Sequence, residues 1–148
     1  MDKDYSVLSI TEHWLTPPES EQVRISNFTT ISHFSRTLTK HGGSMILTNE
    51  EVCCVPLHSV ECLSEENICE LSGIYITNLD LYLINVYKPP SANFNMFVDV
   101  LVKLFYTVNT YTDNVFVVGD FNIDIKSEDH FKHRFLDFMQ SYGLQHLV

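Results

Sequence analysis

Apolar residues change their period several times along the chain, and each change marks an element. Tyr5 to Ile10, YSVLSI, is rich in strand formers. The polar stretch that follows contains Pro17-Pro18, which breaks the chain. Gly42-Gly43 forms a turn, Met45 to Thr48 starts a second strand, and Glu51 to Leu57 suggests another. Leu71 to Thr77 and Leu81 to Tyr87 read as a hairpin that turns at Asn78-Leu79-Asp80. Lys88-Pro89-Pro90 ends the second arm, because proline cannot donate to a ladder.

The period then becomes helical. Ser91 or Asn93 can cap a helix, and Phe94, Phe97, Leu101, Leu104, Phe105 and Val108 follow at steps of 3, 4, 3, 1 and 3. Thr112-Asp113-Asn114 is a turn, and the unbroken apolar run Val115 to Val118 predicts a central strand buried on both faces. Phe131, Phe135, Phe138, Met139 and Tyr142 form a second helical stripe that stops near Gly143. Both stripes read as core. Strands covered by two amphipathic helices predict a layered α/β domain with a mixed sheet.

Composition sets outer limits on this picture. With 148 residues, 45% of them hydrophobic and 19% charged, the chain is globular and can bury a core as a single domain. It has no apolar run near the roughly 20 residues of a membrane span. Met1-Asp2-Lys3-Asp4 lacks the basic-then-apolar order of a secretion signal, so the expected location is intracellular, the nucleus included, and not secreted. The net charge of -10 argues against gripping nucleic acid by bulk electrostatics, yet it leaves room for acids that hold a cation. Cys53, Cys54, Cys62 and Cys69 lack the paired spacing of a zinc site. They are expected to be buried, reduced strand residues that act as small hydrophobes.

Candidate chemistry gathers where strands end. Gly119-Asp120-Phe121-Asn122 directly follows the Val115 to Val118 run, and ligands in α/β folds sit beyond the carboxyl ends of strands. Gly119 permits a sharp turn. In extended chain Asp120 and Asn122 share a face, where a carboxylate can take a proton or hold a cation and an amide can donate to a phosphate oxygen. From spacing alone, an Asp/Asn turn is the simpler reading. Glu12, in Ser9-Ile10-Thr11-Glu12-His13-Trp14-Leu15, also follows a strand. Hard cations take oxygen ligands and often only one or two carboxylates, but a lone acid here equally suits the surface. Tyr87 ends LYLINVY; its phenol could donate to a phosphate or simply pack with a wet hydroxyl.

Taken in order, these segments resemble the endonuclease/exonuclease/phosphatase superfamily: S-x-T-E-x-W-L, then HGG before a strand, then N-V-Y-K-P-P, a helix, and V-V-G-D-F-N-I-D. The Y-K-P-P and G-D-F-N-I-D pieces are most similar to the apurinic-type endonuclease domain of non-LTR retrotransposons. The resemblance runs from Ser6 to Val148, including the closing G-L-Q-x-L-V. It implies a four-layer α/β sandwich of two mixed sheets flanked by helices. It also implies Mg²⁺-dependent hydrolysis of a DNA phosphodiester, with Mn²⁺ as a substitute metal, by in-line attack of water. Carried over by residue, Glu12 would bind the metal, Tyr87 would contact phosphate, Asp120 would orient or deprotonate the water, and Asn122 would bind phosphate.

Some of the family's pattern is not in these 148 residues. The family opens with a strand carrying an asparagine and ends with a further acid and a Ser-Asp-His strand. Ser127-Glu128-Asp129-His130 lies too close to Asn122 to replace the latter and reads as a helix start. His130 and His133 read as a solvated helix face, and Ser44 stands where the family has a third glycine. The expectation is a single partial domain over residues 1–148, of weak or no activity by itself, prone to self-association through incomplete sheet edges. A noncatalytic binding module of the same descent and a phosphatase acting on small phosphoesters are the alternatives.

Overall fold

A computed structural model describes residues 5–110, 113–124, 126 and 129–147. The elements are β1 (Val7–Thr11), α1 (Pro17–Gln22), β2 (Arg24–Ile25), β3 (Phe28–Phe34), β4 (Ser44–Thr48), β5 (Cys54–Pro56) and α2 (His58–Glu61). They continue with β6 (Glu70–Ile76), a 3-10 turn (Thr77–Leu79), β7 (Leu81–Tyr87), α3 (Phe94–Thr107), β8 (Asn114–Asp120) and α4 (His130–Ser141). The result is an α/β fold of two four-stranded sheets with helices against them, ordered β1-β4-β3-β2 and β5-β6-β7-β8. The first sheet is antiparallel throughout, so only the second is mixed, through the parallel β7–β8 pair.

Between the sheets, Ile46 meets Ile74 and Ile76, with Val7, Ile31, Leu81 and Leu83 around them. Polar cross-links pin the same interface. The Ser44 and Ser72 hydroxyls lie 2.7 Å apart, and Gly73 N donates to Ser32 Oγ at 2.8 Å. Ser44, the departure from a third glycine, thus has a buried partner across the gap. On the far face of the second sheet, α3 buries Phe97, Val100, Leu101, Leu104 and Phe105 against Leu71, Ile84 and Val86, and α4 adds Phe135. Each such side chain contributes roughly 1.5–3 kcal/mol. Of the two candidate caps for α3 it is Asn93 that serves, accepting from Asn95 N and Met96 N.

Several local expectations change. Pro17-Pro18 does not break the chain; it opens α1, where a missing N–H costs nothing, and Glu19 fastens the start by accepting from Thr16 N at 2.8 Å. The strand over Glu51 to Leu57 shortens to Cys54–Pro56. The β2–β3 hairpin had no clear signature, because β3 carries Ser32 inward and a register shift between Thr30 and Ser32 blurs its alternation. Val115 to Val118 is not buried on both faces: β8 is an outer strand and Phe116 is 48% exposed. Val115 and Val117 pack on the side toward α3 and α4, and on the other side β1 packs against the strand but leaves Phe116 in water.

Of the cysteines, Cys69 is buried, Cys54 half-buried, and Cys53 and Cys62 exposed; all four are free thiols. Only Cys54 lies within a strand, so the expectation of buried strand cysteines holds only in part. Burial pushes the Cys69 thiol well above its usual pKa, which leaves it inert. Met1 to Asp4, Thr112, Ser127, Glu128 and Val148 lie outside the described residues. Among the described residues no helix is long and apolar enough to cross a membrane.

Candidate functional site

Register builds the site. Tyr87 ends β7 and pairs with Asp120 at the end of parallel β8, while antiparallel β6 sets Glu70 on its other side. Residues in one cross-strand row project on one face, so Glu70, Tyr87 and Asp120 form a row at the sheet's end. β1 of the other sheet packs against β7 and β8, bringing Glu12 to the same edge. The Tyr87 hydroxyl donates to Glu12 Oε1. Tyr87 is 2% exposed; burial first, then the bond to Glu12, raises its pKa far enough that the phenol stays protonated.

Three of the four expected site residues, Glu12, Tyr87 and Asp120, therefore meet at one edge. Asn122 follows two residues on in left-handed backbone (φ 47°). Its N–H donates to Asp120 Oδ1 at 3.0 Å, the turn that spacing suggested, and its Nδ2 donates to Lys88 O at 2.7 Å. Asn122 is thus anchored to the chain just past Tyr87. Glu12, Asp120 and Asn122 are solvent-exposed, and an open pocket of about 520 Å³ lies along Gly119 to Asp124, closed below by Phe135. Lys88 is buried beside them; burial lowers its pKa, and Asp120 acts in the opposite direction.

Glu70 and Arg36 had not been singled out. Glu70 is 0% exposed and accepts from Arg36 Nε at 2.6 Å, Gly43 N at 2.5 Å and Asn67 N at 3.2 Å. Gly43 O in turn accepts from Glu12 N at 2.9 Å, so the buried pair lies one peptide away from Glu12. One signal was available in the sequence: a lone acid opening the apolar ELSGIYI run. Arg36 gave none, since it follows a strand that was not foreseen. The glycines of HGG are explained here as well. Both have positive φ, and a Cβ on Gly42 or Gly43 would meet the Arg36 guanidinium or the His13 ring.

His13 itself is held as a neutral ring. Its Nε2 donates to Phe34 O at 3.0 Å, so Nδ1 is the acceptor for Leu15 N at 3.1 Å. Burial lowers its pKa below the usual imidazole value. A basic group with a depressed folded pKa binds its proton more readily when unfolded, so its contribution is complete above the unfolded value, near 6.5, and is lost as pH falls. The expected result is a melting temperature that drops as pH falls from about 7 to 5, and drops less in His13→Gln than in the wild type. An equal drop in the variant would locate the titration elsewhere.

Among the described residues, no group of three or more His, Cys, Asp and Glu side chains comes together as a metal site. His130 lies 3.0 Å from Asp129 on an exposed face. Glu12 offers one exposed carboxylate with one oxygen on Tyr87. That donor set suits a magnesium ion that keeps most of its waters, and it suits zinc poorly.

No family model and no curated protein matches the sequence. A solved structure does match the fold: the endonuclease domain of TRAS1, a telomere-specific non-LTR retrotransposon, superposes with a TM-score of 0.69 at 12% sequence identity. The alignment covers 95% of this chain and 59% of that one. The chain has the fold of a non-LTR retrotransposon endonuclease domain and spans 59% of that domain's length.

Proposed function

We propose that this chain is a phosphodiesterase domain directed at DNA, of the retrotransposon endonuclease kind, with slow turnover as these 148 residues. The observation that carries the reading is the meeting of Glu12, Tyr87 and Asp120 at the carboxyl edge of a fold shared with such an endonuclease. Asp120, exposed at the end of β8, would orient a water and take its proton. Tyr87 keeps its own proton and steadies the Glu12 carboxylate. Asn122 has a second N–H available for a phosphate oxygen once its first is on Lys88. Glu12 would hold Mg²⁺, or Mn²⁺ in its place, and the ion would neutralise charge developing on the phosphoryl oxygens. One carboxylate that leaves the ion most of its waters makes a weak site, so the affinity for Mg²⁺ should be poor.

Nicking of supercoiled plasmid in Mg²⁺ tests the reading. Weak nicking should fall by roughly 100-fold or more in Asp120→Ala, the low end of what general base catalysis supplies. NMR titration with Mg²⁺ should lose its shifts in Glu12→Gln. Nicking that is the same in wild type and Asp120→Ala would sink the catalytic assignment. Plasmid binding without nicking would favour the noncatalytic module. Phosphate release from small phosphoesters in place of nicking would favour a phosphatase, which the net charge of -10 suits better.

A further inference from the structure

Two residues past Glu12, Trp14 stands 62% exposed. A large aromatic side chain with most of its surface in water forgoes the burial that normally places it inside. Its backbone is left-handed (φ 61°), an arrangement an aromatic residue rarely adopts, and its N–H is tied to Gly42 O at 3.0 Å. The ring meets that of His41 edge-on, with centroids 4.3 Å apart and planes at 64°. His41 is also exposed and left-handed (φ 70°), and it immediately precedes the two glycines that anchor Glu12 and Trp14. The loop is therefore fixed at its backbone while it presents two rings to solvent.

We propose that Trp14, backed by His41, is a stacking subsite for a nucleobase of a single-stranded or locally opened DNA strand. The proposal rests on the phosphodiesterase reading above. Two residues of extended chain span at most about 7 Å. Phosphates follow roughly every 3.4 Å along the axis of a paired strand, and further apart in an unpaired strand that is extended. A strand with a phosphate at the Glu12–Asp120 edge therefore brings a base one or two nucleotides away to Trp14. Stacking is the interaction open to this protein there, because its net charge of -10 makes phosphate attraction weak. Every base has a π face, so the subsite accepts any base and selects for strand that is not paired.

Trp14 is the chain's one tryptophan, which makes its fluorescence a direct report. The full chain carrying Asp120→Ala, so that strands stay intact, is titrated in Mg²⁺ with a labelled oligodeoxynucleotide and with an abasic strand of equal length. Fluorescence and label anisotropy are read together, and circular dichroism checks that each variant is folded. The base-bearing strand should quench Trp14 and the abasic strand should not. Trp14→Ala should weaken the base-bearing strand about tenfold, within the range of one stacked base, and leave the abasic strand unchanged. Trp14→Phe should recover most of the loss. Binding by anisotropy with no quenching and no effect of Trp14→Ala would overturn the subsite and leave the phosphodiesterase reading standing. No anisotropy change with either strand would overturn that reading, and the subsite with it.

Discussion

Gly119→Ala should cost the chain much of its stability, by about 2–6 kcal/mol. A Cβ at this position would lie 1.9 Å from the Val86 carbonyl oxygen, which is backbone and cannot swing aside. The φ of +135° is also one that alanine resists. Forcing a side chain into a closed space costs roughly 1–3 kcal/mol, and holding a residue in a disfavoured backbone region costs about the same again. Typical domains have only about 5–15 kcal/mol in total. Relief would require β8 to move off β7, and Val86–Gly119 is the pair directly before Tyr87–Asp120. Stability and site geometry should therefore fail together. Urea unfolding measures the first and plasmid nicking the second. An unchanged midpoint in Gly119→Ala would mean that β8 is not held as described.

Glu70→Ala should have a loss of similar size for a different reason. The Arg36 side chain is 8% exposed and Glu70 is fully buried. Removing the carboxylate strands a guanidinium inside and leaves Gly43 N without its acceptor. Breaking one side of a buried pair costs roughly 3–5 kcal/mol. The double variant Arg36→Met, Glu70→Leu removes both charges and should recover a large part of that, since a buried pair is often no better than apolar residues of similar volume. Urea midpoints of the two single variants and the double variant make the cycle. If Glu70→Ala loses under about 1 kcal/mol, water reaches the pair and the account of its burial is wrong. The double variant, although more stable, should still bind Mg²⁺ less well than wild type, because the anchor of Gly43 beneath Glu12 is gone.

What the sequence determined by itself is local. The β6–β7 hairpin, helix α3 with Ser91 or Asn93 as its cap, the α4 stripe ending at Gly143 and the α/β layering were legible because period, caps and turn residues act over a few positions. Glu12, Tyr87 and Asp120 each lay at or just past a strand's end, but position alone suited a surface acid, a packed phenol and a turn equally well, and it was the family resemblance that singled them out. Their meeting was not legible: it depends on the parallel register of β8 against β7 and on β1 crossing from the other sheet. Register over such separations is set by packing on both sheet faces. The same holds for the Arg36–Glu70 pair, whose partners are 34 residues apart. It holds as well for Val115 to Val118, where an apolar run suggested a central strand and only the sheet order made it an outer one. Periodicity records which faces a segment could bury; the neighbours that arrive in the folded chain decide which of them it does.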